Sequence, residues 1–596
     1  MALSRSAFRG ALGYPRSQQL LIRQRPRLSR THAQQQVVVA TRDAPAEVEE
    51  RPAVAPAAPA RASPAAAPKA PAAAGARVVA EDDRPTTLRN IVFVSSEAAP
   101  WSKTGGLGDV VGSLPIALAA RGHRVMVVVP RYDDYEDTKD TGVKVELLGH
   151  SEVSYFHRRH KGVDWVFVDH PSYKRPAGLY ADEKGPYADN QFRFTLLCLA
   201  ACEAPLHLPL PRGDGDADKE LYGQDITFLA NDWHGSLVPV YLAGKYRPHG
   251  VYTKARSILA IHNLRHQGVY PPHSFKELGL PGNWYGAVEY QYPPHQRQGS
   301  YAEEGRSVNH MKAGISTADR LLTVSPGYSE EITTYLGGWG MEGLLGGRSP
   351  VLSGVVNGID MDEWNPATDP HLAANYSIAD FKAGKAANKA ALQKELGLPV
   401  DPDIPMLAFI GRLDFQKGAD LLLQVAPWLM GQGVQLVCLG TGTPDLESGL
   451  RWLESEFPTQ ARGWVGFNVA MSHKMTAAAD ILLMPSRFEP CGLNQLYAMR
   501  YGAVPVAHKT GGLKDTVLDF NPFTKPAVGT GWTFSNFEAG GLMHAAGLAL
   551  STMKKHPEDF EGIQRRGMER DSSWNGAAKK YEQIFEWAAI DPPYCR

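Results

Sequence analysis

Cysteine is scarce. The chain has five in 596 residues, at positions 198, 202, 438, 491 and 595, with no C-x-x-C pair and no zinc-like spacing. A disulfide framework and a cysteine-built metal site are both excluded, and a reducing compartment fits. Long apolar runs are also missing: none approaches the ~18 to 20 residues that a membrane helix needs, so the chain reads as soluble, with no membrane partner. Excess charge is absent too, with 62 basic against 63 acidic side chains and a net charge of −1. That near-zero total is uneven along the chain. Residues 1–42 carry eight arginines and no Asp or Glu, so the remainder has a charge of −9. An acidic body lacks the basic face that a nucleic-acid partner requires.

The acid-free leader, Met1 to Arg42, is rich in Arg, Ser and Gln and lacks a continuous apolar centre, the pattern of an organellar transit peptide. Residues 43–87 are dominated by Ala and Pro, as in PAVAPAAPARASPAAAPKAPAAAGA. Repeated prolines deny this segment a helix, and too few large apolar residues deny it a core, so it reads as an extended linker. In the body, 43% apolar residues over the whole chain are enough for a large core. Cys198 and Cys202 sit four apart in FTLLCLAACEAPL and read as packed residues on one helix face.

From Leu88 the pattern changes. RNIVFVSSEAAP is a β-branched run ending in a loop, KTGGLGDVVGSLPIALAARGH a glycine loop opening a helix, and RVMVVVP the next strand, which together make a βαβ unit. Further runs at Trp165–Val168 and Ser257–Ile261 carry the α/β pattern to about Val356. A second series starts at Met406 with MLAFIGRL, then GADLLLQVAPWLM, VQLVCLG, ADILLMPS, a helix over Leu493–Tyr501 and AVPVAHK. The expected fold class is α/β, with two Rossmann-like domains, 88–356 and 357–596, facing across an interdomain cleft at their strand ends.

Three loops carry chemistry. In the first, Lys103-Thr104-Gly105-Gly106-Leu107-Gly108-Asp109, glycines allow close backbone approach and Lys103 adds a mobile cation, which suits phosphate or a sugar hydroxyl. By itself this loop also resembles a dinucleotide fingerprint, with Asp133 as an acidic ribose ligand, so an oxidoreductase using NAD and a sugar transferase both stay open. In the second, GRLDFQKG, Arg412 offers a planar fork and Lys417 a point charge, a pairing suited to a diphosphate. In the third, SRFEPCGLNQ, Glu489 precedes a Cys491-Gly492-Leu493 helix start, and Thr510-Gly511-Gly512 forms a backbone nest after the next strand.

These residues resemble a known family. KTGGLGDV, GRLDFQKG and SRFEPCGLNQLYAM are similar to the glycogen and starch synthases of bacteria and plants, supported by NDWHGSLVP, IHNLRHQGVY, TADRLLTVSPGY and VVNGIDMDEWNP. The likeness runs from about Leu88 to the C-terminus, and DWVFVDHPSYKRP and YEQIFEWAAIDPPY resemble the soluble class-one starch synthases. It implies a GT-B fold whose C-terminal helix returns to the first domain. It also implies retaining transfer of glucose from ADP-glucose to the non-reducing 4-hydroxyl of an α-1,4-glucan, elongating amylopectin-type chains in a plastid, in the stroma or on the granule. ADP-glucose and α-glucan are the implied partners, together with complexes with other starch-synthesising enzymes. No metal or other cofactor is required.

The resemblance assigns roles residue by residue. Lys103, Gly105, Gly106 and Asp109 belong to the donor loop, Arg412 and Lys417 to the leaving ADP, and Glu489 to the glucose hydroxyls. Asp232 and His262 flank the donor sugar, and Asn357 lies near the interdomain crossover. Cys491, Gly492, Leu493, Thr510, Gly511 and Gly512 complete the donor side. Many retaining GT-B enzymes carry a second glutamate eight positions after the first; Tyr497 stands there, as it does in the synthase family. Aromatic faces for glucan are expected from Trp101, Tyr180, Trp233 and Trp284. Asp214-Gly215-Asp216-Ala217-Asp218 imitates a metal motif but is followed by Lys219 where a calcium loop needs glycine, so it reads as a solvated acidic loop. Cys491 stands at a helix start, where a thiol can be acidified, although packing is its simpler role. A non-catalytic glucan-binding scaffold of the same fold is the alternative function.

Overall fold

The computed structural model describes residues 85–213, 218–292 and 306–595. The basic leader, nearly all of the Ala/Pro segment and Asp214–Ala217 lie outside the described residues. All the elements below belong to one compact unit, Gly75–Arg596.

The first sheet has nine strands: β1 (Asn90–Val94), β2 (Arg124–Pro130), β3 (Lys139–Leu147), β4 (Ser151–His160), β5 (Val163–Asp169), β6 (Ile226–Asn231), β7 (Arg256–Ile261), β8 (Arg320–Thr323) and β9 (Leu352–Gly354). Their order is β9-β8-β7-β6-β1-β2-β5-β4-β3. The strands from β9 to β5 pair in parallel, and β3 and β4 add an antiparallel edge. Parallel strands covered on both faces need continuous apolar runs, and in β2 every residue from Val125 to Pro130 is buried. The edge was not anticipated. β3 alternates charged and apolar residues with mostly exposed or half-buried positions, which suits a strand with one wet face.

The second sheet has six parallel strands: β10 (Met406–Ile410), β11 (Gln435–Gly440), β12 (Ala461–Val465), β13 (Ile481–Met484), β14 (Val504–His508) and β15 (Trp532–Phe534), in the order β12-β11-β10-β13-β14-β15. Seven helices matter for the site: α1 (Gly106–Ala120), α2 (Asn190–His207), α3 (Pro326–Glu331), α4 (Ala419–Gly431), α5 (Asn494–Arg500), α6 (Gly511–Thr516) and α7 (Trp574–Ile590). Cys198 and Cys202 are both buried within α2.

The chain passes between the two sheets twice. The outward pass follows Asn357 and the return precedes α7, and the two passes are joined where the Ile359 amide donates to the Ser572 carbonyl at 2.8 Å. Helix α7 then lies against α1. Its Glu582 carboxylate takes a bidentate bond from the buried Arg121 guanidinium at 2.6 and 2.8 Å, with the His123 ring at 3.1 Å. The last helix is thereby fixed to the first sheet's layer by a fully paired buried charge.

Candidate active site

The residues expected on the donor follow the C-terminal ends of parallel strands, Asn357 among them three residues after β9. Glu97 and the glycine loop follow β1, Asp232 follows β6, His262 follows β7, Arg412 follows β10, Glu489 follows β13 and Thr510 follows β14. In open α/β sheets this rim is where ligands bind.

On the second sheet the cations and the carboxylate converge. Lys417 Nζ lies 2.6 Å from Glu489 Oε2, which also accepts from the Ser486 hydroxyl at 3.0 Å. Oε1 of Glu489 keeps no protein partner among the described residues, although the residue is only 5% exposed. Arg412 is held by its own loop: Nε donates to Asp414 at 2.9 Å and Nη2 to Gln416 at 3.0 Å, while the side chain stays 57% exposed. Asp414 also receives the Lys417 amide at 3.0 Å. A carboxylate and a buried glutamine therefore aim the Arg412 fork, and the same carboxylate pins the Lys417 backbone; the sequence signalled neither support. Phe415 and Phe467, exposed at the ends of β10 and β12, add aromatic faces to the same rim.

On the first sheet, Asn231 Nδ2 donates to the Val94 and Leu229 carbonyls, both at 3.1 Å, which fixes its amide. Its Oδ1 faces His262 Nε2 at 2.9 Å and must accept, so that ring nitrogen carries the proton. Burial lowers the His262 pKa to about 4, so the ring is neutral. Asp232 adopts a left-handed backbone, φ +51°, and its Oδ1 accepts the amides of His262 at 2.7 Å and Asn263 at 3.2 Å. A non-glycine residue held there stores strain of the kind seen at functional sites. Burial pushes the Asp232 carboxyl up to about 7, with the two amide bonds opposing it.

The glycine loop departs from its expected use. The buried Glu97 carboxylate accepts the Thr104 amide and hydroxyl, each at 2.6 Å, the Gly105 amide at 3.3 Å and the Tyr180 hydroxyl at 2.6 Å. An internal anion thus occupies amides that a dinucleotide pyrophosphate would need, and Asp133 caps its own loop by accepting the Asp134 amide. The nicotinamide reading fails on these contacts. Space over the loop is open, because a Cβ at Gly105 or Gly106 would meet nothing within 4 Å. Lys103 is paired with Asp109 at 2.5 Å and remains half exposed. Burial raises the Asp109 carboxyl against the pull of Lys103.

The nest at Thr510–Gly512 is also filled. Glu331, at the end of α3, accepts from the Thr510 hydroxyl and the Gly511 amide, both at 3.0 Å, and Asp515 on α6 accepts the Gly327 amide at 2.7 Å. The expected donor nest is instead a latch between the two halves. Gly511 has φ +42°, and a Cβ on it would come within 2.2 Å of the Glu489 carbonyl, so only glycine fits there.

Other expectations need correcting. The Cys491 thiol is not acidified: burial pushes it up to about 12, with neighbouring Asn357 opposing the shift. Asn357 is itself buried, with Oδ1 unpaired among the described residues. Gly492 and Leu493 lead into α5, whose Asn494 side chain donates to the Ile410 carbonyl at 2.7 Å. Trp233 belongs to the core, 8% exposed and surrounded by Phe194, His234, Tyr270 and His310. Tyr180 spends its hydroxyl on Glu97 and Ser96 and stacks on His234, so it braces the loop. Trp284 packs against Gly244, and Trp101 packs against Trp165 beside α1.

Two facing α/β sheets, with cations and a carboxylate gathered at their strand ends, define a GT-B glycosyltransferase. The family model described as starch synthase catalytic domain matches residues 90–347, and that described as glycosyl transferases group 1 matches residues 404–529. Soluble starch synthase 1 of Solanum tuberosum is 56% identical over 519 residues, 85% of this chain and 80% of that protein. Starch synthase 1 of Arabidopsis thaliana is 54% identical over 531 residues, 87% of this chain and 80% of that protein. The solved catalytic domain of starch synthase IV from Arabidopsis thaliana, bound to ADP and acarbose, superposes with a TM-score of 0.72 at 32% identity, covering 85% of this chain and all of that one. The chain belongs to the starch synthase family, and its activity is the elongation of starch chains. Both relatives are named chloroplastic/amyloplastic, which places it in the plastid.

Proposed function

We propose that the donor is ADP-glucose and that glucose passes with retained α configuration to the non-reducing 4-hydroxyl of an α-1,4-glucan. The observation that carries this is the Lys417–Glu489 pair at 2.6 Å beside the exposed Arg412 fork. One strand-end rim thus offers two cations to a departing diphosphate and a carboxylate with a free oxygen to sugar hydroxyls. The ADP bound by the solved relative supports an adenine nucleotide as the leaving group.

In this reading the glucosyl C1–O bond to the diphosphate breaks first. Arg412 and Lys417 hold the negative charge that develops, with Lys103 reaching from the glycine loop. The acceptor 4-hydroxyl attacks from the same face and gives its proton to the leaving phosphate oxygen, so no protein nucleophile is needed. Asp232 and the His262 backbone line the oxocarbenium face. In this reading the charge is handled by side chains alone, without a metal. Complexes with other starch-synthesising enzymes extend the same reading and would show as co-elution from plastid extract.

The test is incubation of the purified chain with ADP-glucose or UDP-glucose and a maltooligosaccharide, scoring released nucleotide, chain length and anomeric configuration. ADP release with α-linked growth is expected. Release of no nucleotide would leave the scaffold alternative standing, and faster use of UDP-glucose would overturn the donor assignment.

A further inference from the structure

A second cavity, of about 220 Å³, lies at the double crossing between the sheets; it contains none of Glu489, Arg412 and Lys417 and meets the donor side only at Asp109 and Leu493. Both halves and both crossings contribute walls. Trp101 stands on Trp165, with ring centroids 4.7 Å apart, on one side. On the other, Tyr497 is stacked on Trp364 at 3.8 Å with the planes 11° apart, and Trp364 is backed by His473 at 3.9 Å. These rings are fixed by their own packing. An empty cavity of ~150 Å³ admits benzene, so this one has room for a single hexose ring.

Its polar lining is mixed. The hydroxyls of Ser113 and Tyr497, the Lys161 ammonium and the Glu363 carboxylate all border the cavity, and none makes a side-chain hydrogen bond among the described residues. Asp109 and Asp360 add two further carboxylates. A lining in which acids outnumber free cations repels phosphate. Donors and acceptors between aromatic walls suit a neutral ring bearing many hydroxyls, whose apolar face needs a flat partner.

We propose that this cavity is a second, non-catalytic subsite for one glucosyl unit, set between Trp101 and Tyr497 and hydrogen-bonded by Ser113, Lys161 and Glu363. The ring's identity as glucose rests on the family's glucan chemistry; the walls themselves ask only for a neutral polyol. The unit is either the end of a glucan chain or a free small sugar. Because the walls come from both halves, an occupant ties α1 to α5 and to the crossings.

Calorimetric titration of the full chain with glucose, maltose and maltoheptaose tests this, alongside Glu363→Gln and Ser113→Phe. The wild type should take up two equivalents of maltose. Glu363→Gln should weaken one of them about tenfold, the loss expected for a hydrogen bond to a charged group, and Ser113→Phe should abolish it. Elongation of maltoheptaose at saturating donor should stay within about twofold in both, since neither side chain bonds a residue assigned to transfer. Uptake of glucose and maltose at this site without maltoheptaose identifies a free sugar as the occupant; equal uptake of maltoheptaose identifies a chain end. A single equivalent in the wild type, or two undiminished equivalents in both variants, overturns the proposal. If Ser113→Phe does not fold, Glu363→Gln decides. Failure of transfer in the wild type with two equivalents still bound would remove the proposed reaction and leave this subsite standing.

Discussion

Lys417 and Glu489, 72 residues apart, share one ion pair at 2.6 Å. The cation expected on the diphosphate and the carboxylate expected on the sugar are therefore coupled before any substrate arrives. Each orients the other, and Ser486 is the only other side chain on that carboxylate among the described residues.

The coupling has a measurable consequence. Lys417→Ala strands a buried carboxylate, so it should lose both turnover and about 3 kcal/mol of stability, the scale for breaking a buried pair. In a double-mutant cycle with Glu489→Gln, the stability losses should fall short of additive by at least ~1 kcal/mol, read by urea unfolding. Additive losses would mean that the pair does not stabilise the free enzyme.

Arg412 differs, because its side chain is 57% exposed and its loop supports are local. Arg412→Ala should cut kcat by roughly 10²- to 10³-fold, the cost of one lost charge-stabilising donor, with the melting midpoint essentially unchanged. Arg412→Lys should recover only part of the activity, since an ammonium does not reproduce the planar fork. Wild-type turnover in the alanine variant would remove Arg412 from the leaving-group site.

Glu97 predicts a loop phenotype. Glu97→Ala takes the acceptor from the Thr104 amide and hydroxyl and leaves the Tyr180 hydroxyl with Ser96 alone, each lost bond to the carboxylate being worth about 1 to 3 kcal/mol. Hydrogen exchange should speed up over the glycine loop, and kcat should fall more than the KM for the glucan rises. Unchanged exchange at Thr104 and Gly105 would show that the loop holds its shape without this carboxylate.

Asp232 gives a pH signature. Its carboxyl is raised to about 7 in the folded chain, against ~3.9 when unfolded. The folded state therefore keeps a proton that the unfolded state has lost, and this contribution to stability, complete below about pH 4, disappears as pH climbs through about 7. Asp232→Asn retains an acceptor for the His262 and Asn263 amides and does not titrate. The wild type should lose stability relative to this variant between pH 4 and 7, by a few kcal/mol, and the difference should level off above that window. A flat difference across the window would show that Asp232 ionises normally.

Much of the architecture was legible because parallel strands announce themselves. Val125 to Val129 and Leu436 to Gly440 are continuous buried runs, and each glycine loop stands where a strand must hand over to a helix. The β3–β4 edge was not legible, since its alternating charges match a half-exposed ribbon or a loop equally well. Trp233 misled for a related reason: the DWHG turn looks like surface chemistry in sequence, yet its ring fills a cluster built from α2, Tyr270 and His310.

The sequence by itself determined the class of the protein, through local patterns that need no partner: apolar runs, glycines at strand ends, the cations of one loop and the carboxylate of another. Only the tertiary structure decided how those groups are used. Glu97 reaches seven residues ahead into its own loop, Glu331 reaches Gly511 across 180 residues and Lys417 reaches Glu489 across 72. Hydrogen bonds and ion pairs act over about 3 Å, whereas chain spacing says nothing about which distant groups come that close. Two nests that looked open to phosphate therefore proved to be occupied by the protein's own carboxylates.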